Sequence, residues 1–192
     1  MIETPFVLAE IVLAVLWVLF RTVVCISGQK FEWKRELALI AMYVNLAVIL
    51  RFTFFPMATV DGKVQPLVMD FSNIYPFRVN FIPFVHMFDY SIKKEMMFNI
   101  IGNIAMFIPT GIILPILYKK LDSFWKVVGT GFMISLFIEI LQLPFSSRAT
   151  DVDDLILNTT GVIIGYAIYS FFRFVTRETM NARLKLKKSA AV

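Results

Sequence analysis

The chain has 192 residues, 58% of them hydrophobic and only 17% charged, with a net charge of +5 and a mean hydropathy of +0.74. This balance excludes an ordinary soluble domain, whose surface needs more polar cover, and matches a membrane protein, whose lipid-facing helices and close helix contacts the 20 Phe and 8 Gly residues suit. The single cysteine, Cys25, excludes an intramolecular disulfide and a cysteine-based metal framework, and the basic residues sit beside apolar runs, as membrane orientation rather than nucleic-acid binding requires.

Crossing roughly 30 Å of hydrocarbon takes about 20 apolar residues. Five segments reach that length, which predicts an all-α, polytopic transmembrane helix bundle. The first, 5–26, is interrupted only by Glu10 and Arg21. No basic stretch precedes it and no small-residue cleavage motif follows it, so it reads as a retained helix rather than a removed signal. The second, 37–55, carries Arg51 near its far end. The following 40-residue loop, 56–95, is longer than ordinary connections and holds Tyr75-Pro76-Phe77 and Asn80-Phe81-Ile82-Pro83-Phe84. An ordered cap or a partly re-entrant segment is expected there, because irregular backbone at membrane depth must be covered by protein or water.

The third segment, 96–118, places Asn99 and Asn103 four residues apart on one helix face. Gly102 is expected to admit a second backbone closely, and Pro109 and Pro115 to kink the helix or end part of it. The two amides read equally well as helix–helix glue and as the wall of a pocket. The fourth segment, 124–145, carries Glu139 and Gln142 on one face. A carboxylate inside a span is costly unless paired, protonated or hydrated, and by default marks function; pairing with Arg51 or Arg148 is the structural alternative. The fifth segment, 155–174, is entered through Asp151, Asp153 and Asp154. Asp151, Asp154 and Asn158 share one face of a helix starting near Asp151, and Gly161 and Gly165 continue that side. Helix capping and the helix dipole account for one or two acids at such a position. They do not account for three acids, Arg148 just before them and Asn158 a turn further in.

Lys30, Lys34 and Arg35, then Lys119, Lys120 and Lys126, then the tail from Arg173 to Lys188 fall on one side of a five-span topology. The positive-inside rule then gives N-terminus out and C-terminus in. The organisation expected is an N-terminal transmembrane helix with a basic cytoplasmic linker (1–36), a membrane domain (37–174) with an extracytoplasmic loop (56–95), and a basic cytoplasmic tail (175–192). The expected location is the bacterial plasma membrane.

By this topology Arg51, Asn80, Asn99, Asn103, Glu139, Gln142, Arg148, Asp151, Asp154 and Asn158 line one outward-facing cavity. One use is a hydrolytic or transferase site. Arg148 would hold a phosphate or carboxylate, and Glu139, Asp154 or Asp151 would serve as catalytic carboxylates. Asp and Asn oxygens also suit Mg²⁺ or Ca²⁺; no cysteine or histidine cluster suggests zinc, so the cofactor stays open. His86, beside Phe88 and Asp89, reads as structural. Another use is binding an amphiphile, with outer-loop aromatics and prolines over its apolar body and Arg51, Asn80, Asn99, Asn103, Gln142, Arg148 and Asn158 around its polar group. A transporter is weaker, without an inverted repeat; a structural or assembly role for another membrane protein is the third class.

In these residues the chain resembles the VanZ-like family of bacterial membrane proteins. The resemblance runs over 38–172. It rests on Asn80-Phe81-Ile82-Pro83-Phe84, on Asn99-Ile100-Ile101-Gly102-Asn103 with Phe107, Pro109 and Gly111, on Glu139 and Gln142, on Arg148, and on the run Asp151 to Gly161 with Gly165. Each piece is weak; the ordered set is specific. A glycine expected before the arginine is Ser147 here. The resemblance implies an outward-facing role at the cell envelope involving a lipoglycopeptide such as teicoplanin, or a lipid-linked precursor. It does not imply catalysis.

Overall fold

The structure, a computed structural model, describes residues 2–27, 32–55, 59–70, 79–84, 93–145 and 150–189. Among them are five helices long and apolar enough to cross a membrane. These are α1 (Phe6–Ile26), α2 (Trp33–Phe54), α3 (Lys93–Leu117), α4 (Phe124–Gln142) and α5 (Val152–Ser189). The expected all-α bundle is therefore observed. Several boundaries move: α2 starts at Trp33 rather than 37, α4 ends at Gln142 rather than 145, and α5 starts at Val152 rather than 155. Helix α3 starts three residues before the expected span, and α5 runs on to Ser189 with no break at 174. Arg and Lys in this stretch are good helix formers, so the end of the apolar run does not end the helix.

Among the described residues, six short strands accompany the helices: β1 (Ile2–Thr4), β2 (Thr59–Val60), β3 (Lys63–Val64), β4 (Leu67–Met69), β5 (Val79–Asn80) and β6 (Thr150–Asp151). β1 pairs antiparallel with β4, β2 with β3, and β5 runs parallel to β6. A bridge between Met69 and Phe145 and a hydrogen bond from the Asp70 N–H to the Pro144 carbonyl (2.8 Å) extend this layer. At one end of the bundle these contacts join the N-terminal segment, the described parts of the long loop and the α4–α5 connection. The described parts of 56–95 thus form an ordered cap. At the other end, ion pairs Arg21–Glu36 and Arg173–Asp122 hold α1 to α2 and α5 to the α3–α4 connection, which includes a 3-10 turn at Lys119–Leu121.

Helix α3 is central, packed on α5, α2 and α4. Its Phe107 is fully buried, as are Val127 on α4 and Val162 on α5. The α3–α5 contact is a glycine seam. A Cβ at Gly161 would fall on the Ile104 carbonyl oxygen, one at Gly165 on the Ile108 carbonyl oxygen, and one at Gly111 on the Val162 carbonyl oxygen. Close backbone approach of this kind is how helices gain dispersion contact where lipid removes the hydrophobic drive. Gly102 does not take this part, contrary to expectation: a Cβ there would meet nothing within 4 Å. It faces α2 rather than α5. Nor do Pro109 and Pro115 end α3, which is continuous across both. In a membrane helix, neighbouring groups satisfy the backbone that proline frees. Helix α1 has no buried residue; its side chains suit direct contact with lipid.

Candidate functional site

The first turn of α5 organises the capped end of the bundle. Asp151 is the last residue of β6, and its Oδ1 accepts the Asp153 N–H at 2.9 Å. That contact closes the free N-terminal turn of α5 as an aspartate cap does. The same Oδ1 accepts a hydrogen bond from Asn80 Nδ2 at 3.2 Å, and the Asp151 N–H donates to Glu139 Oε2 at 3.1 Å. The Thr150 hydroxyl donates to the Glu139 carbonyl at 2.9 Å. Strand pairing of Asn80 opposite Asp151 fixes this register. Glu139 is 3% exposed, so its carboxylate is withdrawn from solvent and held against the start of α5.

A second branch crosses from α3. Asn103 Nδ2 donates to Asp154 Oδ1 at 2.7 Å and to Asn99 Oδ1 at 3.2 Å. The i, i+4 spacing of the asparagines places them in line, so Asn99 orients Asn103 and Asn103 holds Asp154. Asn80, Asn99, Asn103, Glu139, Asp151 and Asp154 therefore gather around one helix end. Carboxylates are favoured there by the helix dipole.

Asn158 and Gln142 lie off this cluster. Asn158, 1% exposed, donates to Ser135 Oγ at 2.9 Å, and its Oδ1 has no hydrogen-bond partner among the described residues. Gln142 donates to the Thr53 carbonyl at 2.6 Å. Arg51 donates to the Phe55 carbonyl at 3.3 Å and stacks near the rings of Phe6 and Phe52, at 5.6 and 5.5 Å. Gln142 and Arg51 thus gather around the end of α2. Arg148 and His86 lie outside the described residues.

Asp153, the third acid of this run, lies off the face shared by Asp151 and Asp154, and helical spacing gives it no partner. It is 4% exposed, and its Oδ1 accepts the Phe84 N–H at 2.8 Å. Phe84 has φ of +67°, a costly conformation for a bulky residue, and Asp153 helps hold it. Asn80 Oδ1 accepts the Ile82 N–H in the same turn, at 3.1 Å. The apolar tip so formed is open: Phe81 is 78% exposed. Two more polar residues, Ser135 and Asn45, lie outside the set expected from the sequence. Ser135 lies one turn before Glu139 on the same buried stripe of α4, and that spacing could have revealed it. Asn45 donates to the Met106 carbonyl at 2.8 Å and accepts the Thr110 hydroxyl at 2.7 Å, fastening α2 to α3. Nothing in the pattern of α2 alone marks Asn45. Among the described residues, no group of three or more His, Cys, Asp or Glu is arranged to hold a metal ion.

A model of the VanZ/LLP1 family matches residues 38–173, well over half of the chain. The chain belongs to the VanZ/LLP1 family. Protein VanZ of Enterococcus faecium is 31% identical over 107 residues, 56% of this chain and 62% of that protein. The match thus spans less than two thirds of that relative. No solved structure matches. This VanZ-family chain is a multi-pass membrane protein; the family match takes in the whole of α3 and α4 and the larger part of α2 and α5, whereas α1 precedes it.

Proposed function

We propose that this VanZ-family protein sits in the bacterial plasma membrane with its N-terminus outside and its C-terminus inside. Its polar cluster then faces the cell envelope and binds the polar part of an amphiphile. The compound is a lipoglycopeptide such as teicoplanin or a lipid-linked envelope precursor, and its capture lowers susceptibility to the drug. The observation that carries this reading is the convergence of Asn80, Asn99, Asn103, Glu139, Asp151 and Asp154 from separate segments at one end of the bundle. Asn80, Asn99 and Asn103 offer amide groups to the ligand, and the carboxylates orient them. Arg51, Gln142, Arg148 and Asn158 complete the set of ligand-binding residues assigned to the site. The asymmetry of Lys and Arg between the loops supports the orientation.

The decisive measurement is growth across graded teicoplanin concentrations. Cells carrying the native protein, Glu139→Gln or Asp154→Asn are compared at equal membrane abundance. Protection by the native chain and its loss in both variants is the expected result. Growth indistinguishable from an empty control, in several hosts, would sink the reading. A second reading rests on the near-complete burial of Glu139 against the Asp151 N–H. It makes Glu139, Asp151 and Asp154 the carboxylates of a hydrolase or transferase on a lipid-linked substrate. Product formed by purified protein, and lost in Asp154→Asn with binding intact, would favour it; saturable binding without product favours capture.

A further inference from the structure

The family match and the polar cluster leave one large feature without a role. Between α2 and α3 lies a partly open groove of about 1090 Å³. That is just above the range of about 300–1,000 Å³ usual for sites that hold a small ligand. One wall is Ala41, Val44, Val48 and Phe52 of α2; the other runs along α3 from Lys94 through Phe98 and Gly102 to Ile113. At 1.5 Å per residue, Lys94 to Ile113 covers about 28 Å, close to the hydrocarbon thickness of a bilayer. The two helices run in opposite directions, so Phe52 and Lys94 lie towards the capped end, and Ala41 and Ile113 towards the other.

The groove is kept open by its own chemistry. Asn45 at its floor is 5% exposed, with its amide spent on Met106 and Thr110, so it joins the walls and offers nothing to a ligand. Gly102 leaves space where any larger residue would stand. The lining is overwhelmingly apolar, and its polar groups gather at one end: Lys94, Asn99 and Asn103. Lys94 is the one charged side chain among the described residues that line it. Asn103 belongs both to this lining and to the cluster, through its bond to Asp154.

We infer that the α2–α3 groove seats the hydrocarbon chain of a single-chain phosphate lipid, with the phosphate at Lys94. This deepens the binding reading above and rests on it for the side from which the head group is reached. A single trough accommodates one chain; a two-chain phospholipid would leave its second chain outside. The cation at the mouth calls for an anionic head, and phosphate is the anion that a lysine takes as a point charge. Asn103 then stands between the head group and the carboxylates, so occupancy of the groove presents the head to the polar cluster.

The test uses the full chain in nanodiscs of phosphatidylcholine, with a polyprenyl phosphate bearing a photo-crosslinking group at its chain end. Labelled peptides are mapped, and the neutral polyprenol and phosphatidylglycerol serve as competitors. Saturable labelling on α2 and α3 is expected, with polyprenyl phosphate displacing the probe better than polyprenol and phosphatidylglycerol failing to displace it. Gly102→Leu and Ala41→Phe, which plug the groove from opposite walls, should each cut affinity by about tenfold or more, and Lys94→Gln by about fivefold with the loss confined to the phosphate lipid. Thermal midpoints of the variants establish that both plugs fold. Labelling unchanged in a folded plug variant, or displacement by phosphatidylglycerol at equal concentration, overturns the inference. Failure here would leave the effect of Asp154→Asn on drug susceptibility in place. Failure of the drug reading would leave groove labelling in place.

Discussion

Helix α3 treats its two neighbours differently. Against α5 it is in backbone contact, with Gly111, Gly161 and Gly165 placed where a methyl group would strike a carbonyl oxygen or a backbone atom. Against α2 it leaves a groove in which a methyl group at Gly102 would meet nothing within 4 Å, and Asn45 ties the two walls at mid-height. The same residue type thus marks opposite packing on opposite faces. The tight face holds Asn103 within 2.7 Å of Asp154, and so carries the geometry of the cluster. The loose face admits something else.

The largest effect should come from closing off the tight face. Gly161→Leu would drive a side chain into the Ile104 carbonyl, and Gly165→Leu would do the same at Ile108. The obstacle is backbone, which cannot rotate away, so the cost should reach or exceed the usual overpacking range of about 1–3 kcal/mol. The expected outcome is a steep loss of monodisperse protein after mild heating in detergent. Wild-type thermal behaviour in both variants would mean that the seam is not the rigid element.

Next in size is the link between α5 and the outer turn. Removing the Asp153 carboxylate takes away the acceptor of the Phe84 N–H, a loss of about 1.5–3 kcal/mol for a hydrogen bond to a charged group. Asp153→Ala should therefore speed amide exchange at Phe84 by about tenfold to a hundredfold. Asp153→Asn keeps an acceptor oxygen and should lie in between. Equal exchange in all three forms would remove Asp153 from the support of the turn.

What the sequence reveals divides along the same line. The spans are legible because lipid demands long apolar runs, and no soluble core imposes a competing pattern. The partnership of Asn99 with Asn103 is legible because helical spacing alone brings them together. The Asn80–Asp151 pairing is not, since a two-residue parallel ladder has no periodicity to detect. Asp153 falls outside the face shared by Asp151, Asp154 and Asn158, and its partner is a loop amide 69 residues earlier in the chain, which no helical spacing can signal. Gly102 is misassigned for a physical reason too: composition announces that a glycine permits close approach, but only the neighbouring helix decides whether the approach is made.

Smaller again is the tie across the groove. Asn45→Leu removes the bonds to Met106 and Thr110. Interhelical hydrogen bonds in membranes average about 0.6 kcal/mol and reach about 1.7, because the unfolded helices find other partners. A cost of about 1 kcal/mol is expected, accompanied by weaker groove labelling as the walls lose their fixed spacing. A loss of several kcal/mol would show that α2 is held to α3 chiefly through this one amide.

The smallest effect, and the sharpest contrast, belongs to Gly102→Ala. A methyl group there meets no atom within 4 Å, whereas at Gly161 it meets the Ile104 carbonyl. Alanine also favours helix by up to about 1 kcal/mol over glycine. The thermal midpoint should therefore stay level or rise slightly, while Gly161→Ala lowers it. The two substitutions add the same atoms to the same kind of helix, so propensity cancels between them and only the neighbour differs. Should Gly102→Ala destabilise as much as Gly161→Ala, α2 must close on α3 in the membrane, and the groove would not be available to a lipid chain.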